Sequence, residues 1–366
     1  ASAYLRAHHH VAFVCALLNN WPMGFYHPAT LVKDAQRHGV HVLPVDVTQS
    51  AWGCTLEAFS PQRRGGAERT SEIPPPCQGG GEGEVGIRRP SLRSYPPVAP
   101  PWQGGAISLA VRLGLKYVRG LRAAAGQRLE AERARAPFAS VADVAARCGL
   151  RDDELQTLAH AGAFAPFGLT RREALWQASA VPKEPLLRHS GDLSASPRLR
   201  VEEPGLPEMS PLERSLADYK DLGLTVGPHV VRFLREDLRR QGVLSAAELA
   251  RARDGEWVRI GGLVIVRQRP GTAKGMCFLT IEDETGTANA AVLPQVFEAN
   301  RALLHGAALL RVDGPLQKVD GVIHVLARQL VELHLPGQEI AQRGTGYRMR
   351  TTPGEKPPTP KSHDFR

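Results

Sequence analysis

The sequence contains little cysteine, and its cysteines are not grouped. The five are scattered over 366 residues without a C-x-x-C pair. This pattern argues against a disulfide framework or a zinc site and favours a reducing, cytoplasmic environment. No apolar run approaches the length that spans a bilayer and no signal peptide is evident, so we expect no membrane partner. The consecutive His8, His9 and His10 are not predicted to bind a metal, because neighbouring residues on a helix point in different directions.

Motifs of several enzyme classes are also missing. The chain has no Walker-type loop, no G-x-S-x-G and no H-E-x-x-H. Two-metal nucleotidyl transfer needs converging carboxylates, typically in D-x-D spacing, and the sequence has no such pattern. The Asp152-Asp153 pair lies at a predicted helix start, where the helix dipole alone favours acidic residues. We therefore predict no catalytic residue, no metal and no bound cofactor in this segment.

Positive charge and glycine-proline content are what the chain does have. A net charge of +9 and a pI near 9.6 indicate a polyanionic partner, with nucleic acid ahead of a membrane surface. The alternative is a merely Arg-rich and Ala-rich composition. From Gly65 to Gly105, glycine and proline occupy 17 of 41 positions, which is typical of a disordered segment.

The region from Glu256 to Leu333 has the pattern of a small β-barrel. Its order of strand, strand, strand, helix, strand, strand predicts an OB-fold, a five-stranded Greek-key barrel that binds single-stranded nucleic acid through its loops. The cations predicted to contact DNA from those loops are Arg267, Arg269, Lys274 and Lys318. The region has eight basic and eight acidic residues and few aromatic side chains for base stacking. A protein-docking barrel is therefore the alternative.

Short helices joined by glycine turns precede this region. The segments Val118 to Arg122 and Leu158 to Phe164 each resemble a helix-hairpin-helix turn, in which backbone N–H groups face a DNA phosphate. The predicted duplex-phosphate ligands are Lys116, Arg119, Gly120, Arg122 and Gly162. Between Ala110 and Ala180, eleven basic residues outnumber seven acidic ones. The alternative is plain helical packing with glycine C-caps. Helices are predicted from Ala123 to Arg135, after a Ser140 cap with Asp143 at the third helical position, and after a Ser210 cap with Pro211 first and Glu213 third. A further capped helix is predicted from Ser245 to Arg253.

Several stretches resemble the bacterial error-prone DNA polymerases, relatives of the DNA polymerase III alpha subunit. They include Gly114-Leu-Lys-Tyr-Val-Arg-Gly-Leu121, and the strongest are Gly262-Leu-Val-Ile-Val-Arg-Gln-Arg-Pro-Gly-Thr-Ala-Lys-Gly275 and Leu279-Thr-Ile-Glu-Asp-Glu-Thr-Gly286. The resemblance covers most of the chain except about residues 55–106. In one departure, Arg122 stands where a hairpin's second glycine is usual.

This resemblance implies the C-terminal part of a translesion-type, DNA-directed DNA polymerase whose catalytic aspartates lie in a palm domain upstream. The start at Ala1, already inside a helical pattern, agrees with a portion of a longer protein. The implied partners are a primer–template duplex and a single-stranded template. The resemblance assigns dNTP, Mg²⁺ and damage-tolerance accessory proteins to the full-length enzyme.

Together these patterns predict a multidomain α+β fold, with a helical region of tandem helix-hairpin-helix units, a C-terminal OB-fold β-barrel and long disordered linkers. The predicted segments are the end of the polymerase fingers (1–54), a Gly/Pro-rich disordered insert (55–106), the tandem helix-hairpin-helix region (107–180), a linker (181–207), a helical connector (208–255), the OB-fold (256–335) and a basic disordered tail (336–366). The predicted role is DNA grip without chemistry. The alternative is a stand-alone nucleic-acid-binding or protein-docking protein without polymerase activity.

Overall fold

The structure, a computed structural model, describes residues 2–22, 27–59, 108–181, 205–319 and 321–336. Most of the predicted insert (60–106), most of the predicted linker (182–204) and the predicted tail from residue 337 onward lie outside the described residues. None of the described helices combines the length and apolar character needed to cross a bilayer.

The described elements alternate between helices and strands. The helices are α1 (Ser2–His8), α2 (His10–Asn19), α3 (Pro28–Arg37), α4 (Ala123–Arg135), α5 (Val141–Cys148), α6 (Asp152–His160), α7 (Arg171–Ala180), α8 (Pro211–Asp221), α9 (Arg235–Arg240), α10 (Pro294–Ala299) and α11 (Arg301–Gly306). The strands are β1 (His41–Leu43), β2 (Thr55–Phe59), β3 (Ser108–Arg112), β4 (Trp257–Gln268), β5 (Cys277–Glu282), β6 (Thr287–Val292), β7 (Leu309–Val319), β8 (Val322–Ala327) and β9 (Gln329–Glu332).

A small sheet corrects one predicted boundary. The predicted disordered insert begins at residue 55, but Thr55–Phe59 forms β2, which pairs antiparallel with β3, while β1 pairs parallel with β3. The strand is fixed by this pairing and by Glu57, whose carboxylate accepts a hydrogen bond from the Arg112 guanidinium at 2.7 Å. Because its partner strand lies about fifty residues later in the chain, local composition gave no sign of it.

One hydrophobic core joins the first 54 residues to the helices that follow β3. It contains Leu18 of α2, Leu129 of α4 and Phe164, all of which are fully buried. Gly126 of α4 packs directly on the indole of Trp52, where a Cβ would lie 2.4 Å from Cε3. The predicted division between residues 1–54 and 107–180 therefore does not correspond to separate cores.

The C-terminal region is a six-stranded sheet. Strand β4 pairs antiparallel with both β5 and β7, and β6 pairs parallel with β8, so the pairings form a closed circuit β4–β5–β6–β8–β7–β4. Strand β9 adds to β7, and α10 and α11 lie between β6 and β7 in the chain. Gly314 in β7 permits a close strand approach, since a Cβ there would lie 2.0 Å from the Leu326 carbonyl oxygen.

The connector between the two regions contains one predicted helix and lacks another. Ser210 and Glu213 form the predicted capping box of α8. The predicted helix from Ser245 to Arg253 is wrong, because this segment contains only a 3₁₀ turn, Glu248–Ala250. Its backbone is held by the sheet instead, with the Ala246 N–H donating to Asp283 Oδ2 at 2.8 Å. Tertiary contacts thus override the local helix signal.

Candidate nucleic-acid interface

The first predicted hairpin, residues 118–122, is an open turn that leads into α4. The Leu121 N–H donates to the Val118 carbonyl at 3.2 Å, and Gly120 has a φ of +80°. This is the position at which a type II turn requires a positive φ. Gly120 is exposed, and a Cβ there would meet no described heavy atom within 4 Å. The Arg122 side chain does not cap α4, so the first-turn N–H groups are free of a side-chain cap.

Arg122 is tied to the start of α6 by a buried carboxylate. Glu154 accepts hydrogen bonds from the Arg122 backbone N–H (3.0 Å), Nε (2.7 Å) and Nη2 (2.8 Å), and from the Arg151 N–H (2.9 Å). Burial of Glu154 opposes its ionisation, but these donors outweigh burial and lower its pKa to about 2. The predicted phosphate ligand Arg122, whose side chain is 47% exposed, is therefore also a structural partner of α6.

Lys116 and Arg119, two other predicted ligands, bind the carboxyl ends of helices. Lys116 Nζ donates to the Leu18 and Asn19 carbonyls of α2 at 2.9 and 2.7 Å. Arg119 Nη1 donates to the Lys220 carbonyl of α8 at 2.9 Å. Cations are favoured at these positions because the last carbonyls of a helix lack intrahelical partners. Both side chains therefore use hydrogen-bond donors in contacts within the protein.

The second predicted hairpin has a different structure. Gly162 follows α6 with a φ of +81°, its N–H bonds the Ala159 carbonyl, and the Ala163 N–H bonds the Leu158 carbonyl. This is a Schellman C-cap, the alternative considered from the sequence. A Cβ on Gly162 would lie 2.8 Å from Arg171 Nε, so a side chain covers the turn.

No α-helix opens directly after Gly162, in contrast to the first hairpin. A 3₁₀ turn, Ala165–Phe167, comes next, and α7 begins only at Arg171. The N-terminus of α7 is already closed by Thr170 and Glu173 in a capping box. The second hairpin therefore lacks the uncapped helix start that makes the first one a candidate phosphate site.

The predicted cations of the sheet loops are mostly paired within the chain. Arg267 is half-buried, bonds the Ala307 carbonyl through Nη2 and has a pKa lowered by burial. Arg269 lies over the Phe297 ring at 4.2 Å from its centroid. Lys318 Nζ donates to the Ala250 carbonyl at 2.9 Å. Lys274 is exposed, at a φ of +49°, and lies in the loop between β4 and β5.

A buried polar cluster that the sequence did not reveal joins α3 and the connector to the sheet. Glu282, at the end of β5, accepts from Arg37 Nη2 at 3.0 Å, and its other oxygen lies 3.9 Å from His229 Nε2. Burial raises the pKa of Glu282 to about 7 and lowers that of His229 to about 4. Burial likewise lowers the pKa of Lys33 to about 8. This cluster fixes how the helical region meets the sheet.

No metal centre is built among the described residues. No three His, Cys, Asp or Glu side chains in these ranges are grouped to hold an ion. Asp152 and Asp153 are exposed at the start of α6. The described carboxylates therefore do not fit a two-metal polymerase centre.

Comparison with known proteins gives one family model and a consistent set of relatives. The family model, a helix-hairpin-helix motif, matches residues 39–174. An error-prone DNA polymerase of Agrobacterium fabrum is 38% identical over 97% of this chain, and one of Methylococcus capsulatus is 40% identical over 91%. One of Azoarcus is 42% identical over 91% of this chain.

The chain matches only part of each of these proteins. It spans 29% of the Agrobacterium and Methylococcus proteins and 27% of the Azoarcus protein. The helix-hairpin-helix match includes both predicted hairpins and reaches back to residue 39, into the segment that shares their core. By its sequence, the chain is similar to error-prone DNA polymerases and corresponds to less than a third of the length of these relatives.

Proposed function

We propose that this chain is a DNA-holding, C-terminal portion of an error-prone DNA polymerase and that it grips the primer–template duplex through the first hairpin. The observation that carries the proposal is the exposed Gly120 turn leading into the uncapped N-terminus of α4. Backbone N–H groups at such a site bind a phosphate oxygen and favour negative charge. Because phosphate contacts read no bases, the binding is independent of sequence.

The second hairpin contributes in another way. Its glycine is a helix C-cap covered by Arg171, so it supports the fold rather than offering N–H groups to DNA. Arg171 in turn donates to Asp218 Oδ1 of α8 at 2.7 Å. In this proposal the first hairpin binds DNA and the second stabilises the fold around it.

We further propose that residues 256–335 form an OB-fold that contacts the single-stranded template. The closed circuit of strand pairings and the helices placed between β6 and β7 support this assignment. Lys274 lies in the loop between β4 and β5, and Phe278, 39% exposed, follows at the start of β5. A cation and an exposed ring in this position suit a phosphate and a base. The electrostatic contribution is modest, because eight acidic residues balance eight basic ones.

Polymerase chemistry is proposed to belong to the longer protein. The relatives are polymerases more than three times as long as the matched stretch, and the described carboxylates do not fit a metal pair. Nucleotide, Mg²⁺ and damage-tolerance accessory proteins would then bind the full-length enzyme, which we place in the cytoplasm as a translesion polymerase. The chain itself supplies binding and orientation.

Titration of a fluorescent primer–template with the full chain tests the proposal. We expect affinity to fall steeply as salt rises, because phosphate contacts release counterions. Gly120→Val should weaken duplex binding about tenfold, which corresponds to the loss of one charge-assisted hydrogen bond. Gly168→Val is the matched control, since Gly168 also has a positive φ (+74°) and open surroundings.

Three results of this titration would count against the proposal. They are salt-independent binding, no binding at low salt, and an equal loss in the two glycine variants. Removing the single-stranded overhang from the same DNA tests the sheet separately. Lower affinity without the overhang supports template contact, and unchanged affinity argues against it.

A further inference from the structure

The carboxyl end of α8 contacts both hairpins at once. On one side, the Arg119 N–H donates to the Asp221 carbonyl at 2.8 Å and Arg119 Nη1 donates to the Lys220 carbonyl. On the other side, His160, the last residue of α6, bonds Asp221 Oδ2 through Nδ1. Two consecutive residues of α8 therefore lie between the turn that precedes α4 and the turn that follows α6.

The contact is built into the core rather than laid on the surface. The Asp221 side chain is only 9% exposed. Leu222 and Leu224, which follow it, belong to the same hydrophobic core as the hairpins. Gly223 has a φ of +73°, and a Cβ there would lie 2.8 Å from Arg119 Nη2. The absence of a side chain at residue 223 thus makes room for the guanidinium over the end of α8.

These contacts assign Arg119 a role different from the one predicted from the sequence. Its backbone N–H and its Nη1 both serve the α8 terminus, where unpaired carbonyls favour a cation. A guanidinium held there fixes the turn that carries Gly120. Helix α8 lies beyond residues 39–174, the part matched as a helix-hairpin-helix motif.

We propose that Asp221 and Arg119 are positioning residues that lock the two hairpins to α8 and so orient the Gly120 turn toward a DNA phosphate. This inference rests on the proposed duplex binding. It extends the DNA grip to α8, which lies in the segment 208–255 predicted from the sequence to be only a helical connector. Neither side chain needs to touch DNA for the lock to act.

Removing a negative charge changes DNA affinity in opposite directions under a positioning role and under simple electrostatic repulsion. Removing a carboxylate close to a polyanion should tighten binding, because it removes repulsion. Loss of the lock should weaken binding instead, by about fivefold, the scale of coupling between directly contacting residues. Asp221→Ala therefore has opposite expected outcomes under the two explanations. Asp221→Asn keeps an oxygen that can accept from His160 and should restore most of the affinity.

The experiment is the same duplex titration with the full chain, with each variant's thermal melt confirming that it is folded. Glu236→Ala is the control, since Glu236 is an exposed acidic residue of α9 and its loss changes the charge equally. We expect Asp221→Ala to bind about fivefold more weakly and the control to bind as tightly as the unaltered chain or more tightly. A folded Asp221→Ala chain that binds as well as the control would overturn the positioning role alone.

A second variant keeps the test decisive if Asp221→Ala does not fold. His160→Ala removes the same link from the side of α6, and we expect a comparable loss of duplex affinity. Unchanged affinity in folded His160→Ala would also overturn the inference. If the unaltered chain does not bind duplex at low salt, the proposed function fails and the inference fails with it.

Discussion

Glu154→Gln is the substitution whose effect the structure fixes most closely. The carboxylate is fully buried and accepts four hydrogen bonds, three of them from Arg122. A glutamine can accept through one oxygen only, and its amide would place N–H groups against the donors of Arg122. We expect the junction between α4 and α6 to be destabilised.

The size of the effect follows from the pKa. Lowering the pKa of Glu154 from 4.5 to about 2 corresponds to at most about 3 kcal/mol of extra folding stability at neutral pH. Arg122 is 47% exposed, so solvent screening reduces the expected loss to about 1–2 kcal/mol. Because the folded pKa lies below the unfolded one, this stabilisation is complete above about pH 4.5 and is lost as the pH falls through about 2.

Hydrogen exchange measured peptide by peptide is the suitable assay, because the chain has more than one core and global unfolding need not be two-state. At pH 7, amide protection in α4 and α6 should fall about tenfold, the equivalent of 1.4 kcal/mol, while α10 and α11 stay unchanged. Glu173→Gln is the matched control, since Glu173 holds the same third position in α7 but bonds only Thr170. It should have a smaller effect.

Two outcomes would refute this reasoning. One is equal protection of α4 and α6 in Glu154→Gln and the unaltered chain at pH 7. The other comes from thermal melts. The melting-temperature difference should shrink between pH 5 and pH 3, and a constant difference would show that the carboxylate charge is not responsible.

Two further predictions concern the sheet junction and the chemistry. Burial raises the pKa of Glu282 to about 7 from 4.5, so its contribution to stability is present below about pH 4.5 and is lost as the pH rises through 7. Glu282→Gln should therefore melt at a progressively higher temperature relative to the unaltered chain between pH 5 and pH 8, and parallel curves would contradict this. In a labelled-primer assay with Mg²⁺ and dNTP, the chain alone should yield no extended product; a ladder of longer products from pure protein would show that chemistry resides here.

Elements fixed by neighbouring residues were predictable from the sequence. The helix from Ala123 to Arg135 has the predicted bounds, and Ser140 caps α5 as expected, with its hydroxyl accepting from the Asp143 N–H at 3.1 Å. The Ser210 cap and Pro211 start of α8 also agree. Capping and helical spacing act within four residues, so the linear sequence contains both partners.

The roles of the predicted DNA ligands were less accessible. Lys116 and Arg119 have the residue types that phosphate binding requires, yet Lys116 bonds carbonyls about 98 residues away and Arg119 one about 101 residues away. Gly162 fitted two patterns, and the Leu158 and Ala159 carbonyls decide that it is a C-cap. A sequence pattern gives the residue types and their spacing, but it does not identify the distant group to which each side chain will bond.

The sequence by itself determined the helices capped by Ser140 and Ser210, the order of the first five C-terminal strands and the similarity to error-prone DNA polymerases, because each depends on short spacings or on direct similarity. Tertiary structure decided which glycine turn stays open, which cations bind helix ends, and that a carboxylate of β5 meets α3 across 245 residues of chain. Those outcomes depend on contacts between segments distant in sequence, where burial and hydrogen-bond geometry select among residues of the same type.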